Sequence, residues 1–378
     1  SAQAGALVTK GLDGLGRTFR VGTFNSQAPD RDQCIPGNST NFNNYLNFVS
    51  VMATEDNTTV NFTNNYNSGF IIENYSGQFP INNIQLNRGE TYVIAVELKD
   101  LSTPNNNCDA IERNKDGLIG TLIQSDKDIV VNSGSSNGSF HVGGARDYGI
   151  DQIVDLSRVG KEYILVKGGG GDGWENILVV GHEDGTEINI YGSSNSTQTI
   201  NAGEYHLIEG DLFSSDDNMY ISSNKDVFVY QGTGGSSEAN QEMFFVPPIS
   251  CGSRGDVNNI PFIEEIGTKI FNGAVSIVSR KDDTVEVNGA GLTSQPSGIT
   301  VEGPFDVPNK TEYVTYRVEG LSGNVSVTSS GELYVAYFTE NFSATSGAFY
   351  SGFASNPRLD LDLTASKLGS CISESGTS

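Results

Sequence analysis

Basic side chains are scarce. The 378 residues hold 22 Lys and Arg against 46 Asp and Glu, a formal net charge of −24, and so few cations cannot neutralise a phosphate backbone or hold an anionic bilayer surface. The charge balance therefore argues against nucleic acid and against an anionic membrane surface as partners. An acidic surface of this kind serves solubility, or else gathers cations. Long apolar runs are also missing: no stretch of about 18 apolar residues is available to span a bilayer, and no leader-like segment opens the chain. The start at Ser1-Ala2-Gln3 and the polar end at Ser378 lead us to expect a mature or excised part of a longer protein. Three histidines, His141, His182 and His206, are too scattered to indicate a Ser/His/Asp arrangement, and no G-x-S-x-G elbow is present. No C-x-x-C or Cys/His spacing points to zinc. No helical period is sustained over three turns; 151–159 and 262–266 are the best short candidates.

What the chain has instead is 45 Gly, 15 Tyr, 19 Phe and abundant Asn, Ser and Thr, a composition of strands and turns. The expected fold class is all-β. Within it one pattern recurs. Ile177-Leu178-Val179-Val180, an acidic corner Glu183-Asp184-Gly185-Thr186 and the alternating Glu187-Ile188-Asn189-Ile190 read as a hairpin. Val49-Ser50-Val51-Met52 with Glu55-Asp56-Asn57-Thr58, and Val275-Ser276-Ile277-Val278 with Lys281-Asp282-Asp283-Thr284, repeat it. Each copy continues with a Tyr-bearing strand at Tyr92, Tyr205 or Tyr313. Each closes with a strand, a Ser-rich turn and a second strand, as in Leu122-Ile123-Gln124-Ser125 before Asp128-Ile129-Val130-Val131. Four elements in one order, three times over, are an internal repeat.

The pattern divides the chain into a lead-in (1–13), repeats at 14–145, 146–241 and 242–355, and a tail (356–378). Each repeat is expected to be an antiparallel β-sandwich-like unit. The connectors at 148–154 and 243–248 are apolar, so the three should pack as one body with these segments buried. Gly- and Ser-rich stretches at 134–138, 232–237 and 343–347 follow the closing strands and read as loops on a shared surface.

The first repeat is longer than the others: Asp56 and Asp184 stand 128 residues apart, Asp184 and Asp282 only 98. Two insertions, 25–44 and 100–116, account for the difference; Cys34 lies in one and Cys108 in the other. Cys251 lies in the approach to the third repeat and Cys371 in the tail. This placement leads us to expect Cys34–Cys108 and Cys251–Cys371 disulfides and an oxidising, extracytoplasmic setting.

Candidate ligand-binding residues come from two stretches. Gly168-Gly169-Gly170-Gly171-Asp172-Gly173-Trp174-Glu175 carries the only Trp of the chain. It lacks the Lys and the following helix of a phosphate-binding loop. It reads either as a flexible loop whose Trp covers a sheet edge, or as an aromatic platform for a sugar, with Asp172 and Glu175 accepting hydroxyls. His141, Arg146 and Asp147 form a second polar group after the first closing strand, with either a structural or a binding role. Paired acids at turns (Asp30 with Asp32, Asp126 with Asp128, Asp216 with Asp217, Asp282 with Asp283) offer oxygens to Ca²⁺, yet none fits an EF-hand loop and Asp is an ordinary turn residue. No cofactor is implied. Arg254-Gly255-Asp256 matches an integrin-binding tripeptide.

Several of these motifs together resemble a known family. Ile123-Gln124-Ser125-Asp126-Lys127-Asp128-Ile129-Val130-Val131, Val159-Gly160-Lys161-Glu162-Tyr163, Glu183-Asp184-Gly185-Thr186-Glu187-Ile188 and Phe244-Phe245-Val246-Pro247-Pro248 are similar to the IgGFc-binding-protein N-terminal domain. The resemblance is to the version found in large surface proteins of gliding Bacteroidetes, and it covers about residues 14–355. It implies an extracellular all-β module of an adhesin-like protein exported by the type IX system, with no catalytic residues to carry over. Three functions remain open at this point: a non-catalytic adhesion module recognising a polysaccharide or a cell-surface protein, a structural tip or spacer, and a glycan-active enzyme using a carboxylate pair.

Overall fold

The computed structural model describes residues 4–25, 46–66, 70, 72, 79–97, 114–140, 147–234, 241–250, 256–342, 344–349, 351 and 353, to which all structural statements refer. All four cysteines, and with them both expected disulfides, lie outside these residues. Strands dominate, interrupted among the described residues by 3-10 segments of three or four residues. The first sheet contains β1 (Leu15–Arg20), β2 (Leu46–Ala53), β3 (Thr58–Thr63), β4 (Ile81–Leu86), β5 (Thr91–Glu97), β6 (Leu122–Gly138) and β7 (Asp147–Ile153). The second contains β8 (Gly160–Val166), β9 (Asn176–Gly181), β10 (Thr186–Tyr191), β11 (Asn195–Ile200), β12 (Tyr205–Ile208), β13 (Asn218–Thr233) and β14 (Glu242–Phe245). Their orders are β4-β3-β6-β2-β5 and β11-β10-β13-β9-β12, with β1 and β7 also on β6, and β8 and β14 also on β13.

Each sheet is organised by one long strand that serves two layers. Residues 122–125 of β6 pair with β3, and residues 129–135 pair with β2. Where the sequence reads as strand, turn and strand, the structure has one continuous strand with a bend. At the bend Ser125 Oγ donates to Lys127 O (2.6 Å), and Ser223 Oγ donates to Lys225 O at the same distance in β13. Such local side-chain bonds compete with the ladder and let the strand turn. The register of β1 against β6 and of β8 against β13 shifts at this bend.

The expected hairpins are corrected by the same feature. β2 and β3 flank β6, and β9 and β10 flank β13, so each acidic corner carries the chain from one layer to the other. The corner residues close on themselves: Thr58 Oγ1 donates to Glu55 O (2.8 Å) and Thr186 Oγ1 to Glu183 O (2.7 Å). Asp56 accepts the Arg88 amide and Asp184 the Ala202 amide, each at 3.0 Å, which ties the corner to the turn before the Tyr strand. Asn57 and Gly185 take the left-handed backbone (φ 55° and 64°) that such a turn requires.

The third region contains β15 (Val257–Ile260), β16 (Glu265–Ile266), β17 (Lys269–Ile270), β18 (Asn272–Arg280), β19 (Val285–Val287), β20 (Ala290–Gly291), β21 (Thr300–Asp306), β22 (Tyr313–Leu321), β23 (Val325–Ser329), β24 (Leu333–Asn341) and β25 (Ala344–Phe349). Here the two layers are separate sheets, β15-β23-β19-β20 and β21-β22-β18-β24-β25, beside a small β16-β17 pair. β23 and β24 are two strands in different sheets, where the first two regions each have one long strand. The backbone bond from the end of the first core strand to the Glu before the Tyr strand is nevertheless made in all three regions: Ala53 N to Glu90 O (3.1 Å), Gly181 N to Glu204 O (2.9 Å) and Lys281 N to Glu312 O (3.0 Å).

The supposed connectors are strands. β7 and β14 pair with the second halves of β6 and β13, β25 pairs with β24, and β7, β14 and β25 lie against one another. Ile153, Val154 and 243–248 are buried in the seam they form. In the described parts of the Gly- and Ser-rich stretches, 134–138 in β6, 232–233 in β13 and 344–347 in β25 are also strand rather than surface loop, since small residues allow close approach. A Cβ on Gly134 would stand 1.9 Å from Gly149 O, and Ala344, Thr345 and Ser346 are buried. One apolar cluster joins Phe19, Val51 and Ile123 of the first sheet to Leu178, Phe228 and Phe245 of the second. Another joins Ile177, Ile188 and Met219 of the second to Val278, Tyr313 and Tyr334 of the third.

Polar contacts lock the first two sheets together. Buried Arg20 donates to Gly120 O (2.8 Å), His182 O (3.2 Å) and His182 Nδ1 (3.4 Å), and Tyr230 OH donates to Arg20 O (2.6 Å). Gly22 leaves the space that the Tyr230 ring fills, for a Cβ there would stand 2.4 Å from Cε2. Gly22→Ala should therefore lower stability by about 1–3 kcal/mol by overpacking. An unchanged denaturation midpoint would show that the Tyr230 contact is dispensable.

Candidate functional site

The glycine-rich stretch between β8 and β9 is shaped by one carboxylate. Glu175 is fully buried, and its oxygens accept the amides of Gly168 (2.9 Å), Gly170 (3.0 Å) and Gly234 (2.9 Å) and the Thr233 hydroxyl (3.0 Å). Glycine is required because the backbone closes onto this group: a Cβ on Gly168 would lie 1.9 Å from Thr233 Oγ1 and 2.8 Å from Glu175 Oε1. The stretch is wrapped around its acid rather than open. Burial pushes the Glu175 carboxyl up to about 7, against the pull of the three amides.

Outside this turn, Asp172–Trp174 forms a short 3-10 segment, closed by the Trp174 amide on Gly171 O (2.8 Å). Asp172 is exposed and pairs with Lys167 (2.7 Å), which also faces Asp217 (3.6 Å). Trp174 is half-buried. Asn176 Nδ2 donates to Glu209 Oε2 (2.7 Å), bringing the 3-10 segment Gly210–Leu212 against the turn. Asp172 and Trp174 therefore share one rim, while Glu175 faces inward and is not placed to meet a sugar from solvent.

Asp147 lies elsewhere, in the seam. It too is buried, and it accepts the Ala4 amide on both oxygens (3.0 and 3.1 Å) and the Tyr148 amide (2.9 Å). Burial raises it to about 7. Glu242 of β14 accepts the amides of Ala6 (3.2 Å) and Met243 (3.1 Å) and is pushed well above the carboxylate range, by burial first and Asp147 next. Asp151 is buried in contact with Lys10 Nζ and accepts the amides of Phe245 (2.9 Å) and Gln152 (2.8 Å). Burial raises the Asp151 carboxyl and lowers the Lys10 ammonium. Glu175 thus holds amides of the chain itself where ligand hydroxyls were expected, and Asp147, with either a structural or a binding role expected, also holds amides of the chain. His141 and Arg146 lie outside the described residues, so the six candidates are not shown as one site.

Residues 5–339 match the model of the family described as IgGFc binding protein. The chain belongs to the IgGFc binding protein family. Two solved structures to which the chain shows some similarity are distant. An anti-sigma factor domain-containing protein from Clostridium clariflavum is 8% identical, with a TM-score of 0.15, over 79% of this chain and 98% of that one. The viral chemokine binding protein R17 encoded by rodent gammaherpesvirus Peru is also 8% identical with a TM-score of 0.15, over 88% of this chain and 84% of its own. Neither bears on the fold. No curated protein matches the sequence.

Other acids of this IgGFc binding protein family member brace turns. Asp126 Oδ1 accepts the Thr59 amide (2.8 Å), Asp128 pairs with Arg17 (3.0 Å), and Asp256 of the tripeptide accepts the Ser329 amide (3.0 Å). Among the described residues no three of His, Cys, Asp and Glu are grouped to hold a metal ion. Lys10, Asp151 and Glu242 were missed in the sequence, although one signal was available. Asp151 is a charge set inside an apolar stretch and Glu242 stands at the edge of one, and a buried charge requires a partner.

Proposed function

We propose that this chain is a non-catalytic extracellular binding module of a larger cell-surface protein, recognising a polysaccharide or protein partner through the rim that carries Asp172 and Trp174. The family match across residues 5–339 supports the reading, since the family is described by what it binds. The Trp174 turn supports the place. A half-exposed indole on a backbone fixed by a buried acid is a preorganised surface, which loses little entropy on binding. The exposed Asp172 and Glu209 beside it supply acceptors. In this reading the units at 14–145, 146–241 and 242–355 are repeats, and their shared seam holds the rim at a set place on the module. The cores that run from one sheet to the next also favour a second reading, a tip or spacer with no ligand.

A glycan array and a protein panel that includes IgG Fc would test the proposal, with wild type and Trp174→Ala compared at equal folding. The expected result is a ligand whose affinity falls at least about tenfold in the variant, the scale of one aromatic anchor. Equal binding by both proteins would rule out the rim, and no binding on either panel would favour the spacer.

A further inference from the structure

Residues 4–10 lie extended along the seam. Ala4, Ala6, Val8 and Lys10 are the less exposed, and Gly5, Leu7 and Thr9 the more exposed, the period of two of an extended chain. The body holds this segment with side chains. Asp147 takes the Ala4 amide, Glu242 the Ala6 amide and Gln152 the Lys10 amide (2.7 Å). At the far end Lys10 Nζ meets Asp151, donates to Val8 O (3.2 Å) and stands 5.5 Å from the centre of the Phe353 ring. Ala4 packs with Phe271 and Ala344. A Cβ on Gly5 would stand 3.1 Å from Tyr148 Cβ and 3.3 Å from Glu242 Oε2, leaving little room for a larger residue. The chain then leaves the seam through Gly11, at φ 56°, and Leu12, which is 83% exposed.

These contacts divide as they do in peptide recognition. Acceptors from the body read main-chain amides without regard to sequence, one tight position reads glycine, and one buried acid reads lysine. A buried Lys10–Asp151 pair beside two more buried carboxylates that accept only main-chain amides would be a poor way to build a core, because apolar residues of the same volume do it without desolvating charge. We propose that the seam of β7, β14 and β25 is a peptide-binding site for an extended segment of the pattern Ala-Gly-x-x-x-x-Lys, filled here by this chain's own residues 4–10. The site is separate from the Trp174 rim.

The test keeps the full chain. A site-specific protease sequence inserted between Gly11 and Leu12, both exposed, is cut after folding, and a fluorescent synthetic peptide of residues 1–12 is added in excess. We expect the labelled peptide to replace the cut segment while the circular dichroism of the body stays unchanged. Peptides with Lys10→Ala or Gly5→Val should bind at least tenfold more weakly, and one with Leu7→Ala, whose side chain points outward, as tightly as the parent. Loss of fold when the cut segment leaves would overturn the proposal, because the segment would then be part of the core. So would failure of the labelled peptide to enter, or equal binding of the Lys10→Ala peptide. Repeating the exchange on the Trp174→Ala protein should change nothing, so failure here and failure at the rim are told apart.

Discussion

Glu175→Ala should lower stability by about 3–5 kcal/mol, because it removes the shared acceptor of a buried hydrogen-bond network. The substitution leaves the amides of Gly168, Gly170 and Gly234 facing a space with no acceptor, and each such donor carries a desolvation penalty of about 1–3 kcal/mol. Water entering the gap would offset part of this. Glu175→Gln keeps the volume but turns an NH₂ group toward donors, so it should fall between wild type and alanine. Chemical denaturation measures the loss. A second, local readout exists because Trp174 is the only tryptophan of the chain. If Glu175 fixes the turn, the Trp174 emission of the folded alanine variant should shift to longer wavelength. A variant with wild-type midpoint and emission would mean that the glycine turn holds its shape without the acid.

Stability should also rise as the solution is made mildly acidic. Asp147 and Glu175 are both raised to about 7 in the folded chain, from ordinary values of 3.8 and 4.5. At intermediate pH the folded state therefore binds more protons than the unfolded state, and stability falls as pH rises through this window, levelling off above about 7. From about pH 5 to about pH 8 each group should remove on the order of 3 kcal/mol, at about 1.4 kcal/mol per pH unit. Glu242 is raised as well and adds a loss of the same sign. His182 and His206 act in the opposite sense. Both are lowered, His182 by burial and Arg20 and His206 by burial, so what they contribute is lost as pH falls through the ordinary imidazole range. Denaturation curves of wild type and Asp147→Asn across this range separate the contributions: the variant should have the flatter profile. Parallel profiles would mean that Asp147 is ionised in the fold at neutral pH.

Much of the architecture can be read from the sequence because turn chemistry leaves few choices. A corner that needs a left-handed residue, an acceptor for a distant amide and a hydroxyl to close it is written as Glu55-Asp56-Asn57-Thr58 and again as Glu183-Asp184-Gly185-Thr186. The partners of the flanking strands are not written there. Val51 pairs with Val131 and Val179 with Val229, so the strand that separates each supposed hairpin arrives long after the corner is passed. Burial of the connectors follows from their apolar residues, whereas their membership of the sheets depends on the long strands beside them.

The site was harder to read for a different reason. Sequence shows that Asp172 and Glu175 stand three residues apart on a glycine-rich turn, but not that one faces solvent and the other the interior. That choice is made by Thr233 and Gly234, at the end of another strand. Similarly, Gly134 and Ser135 look like loop residues until Gly149 is seen packed against them.

The seam of β7, β14 and β25 also sets a timetable. As the chain emerges, β7 can complete the first sheet, but the surface it offers to its neighbours waits for Glu242–Phe245 and then for Ala344–Phe349. Contacts between such distant segments form slowly, and apolar surface left bare in the interval invites association between unfinished chains. Premature termination before β14 should therefore yield a sticky fragment rather than a smaller working unit.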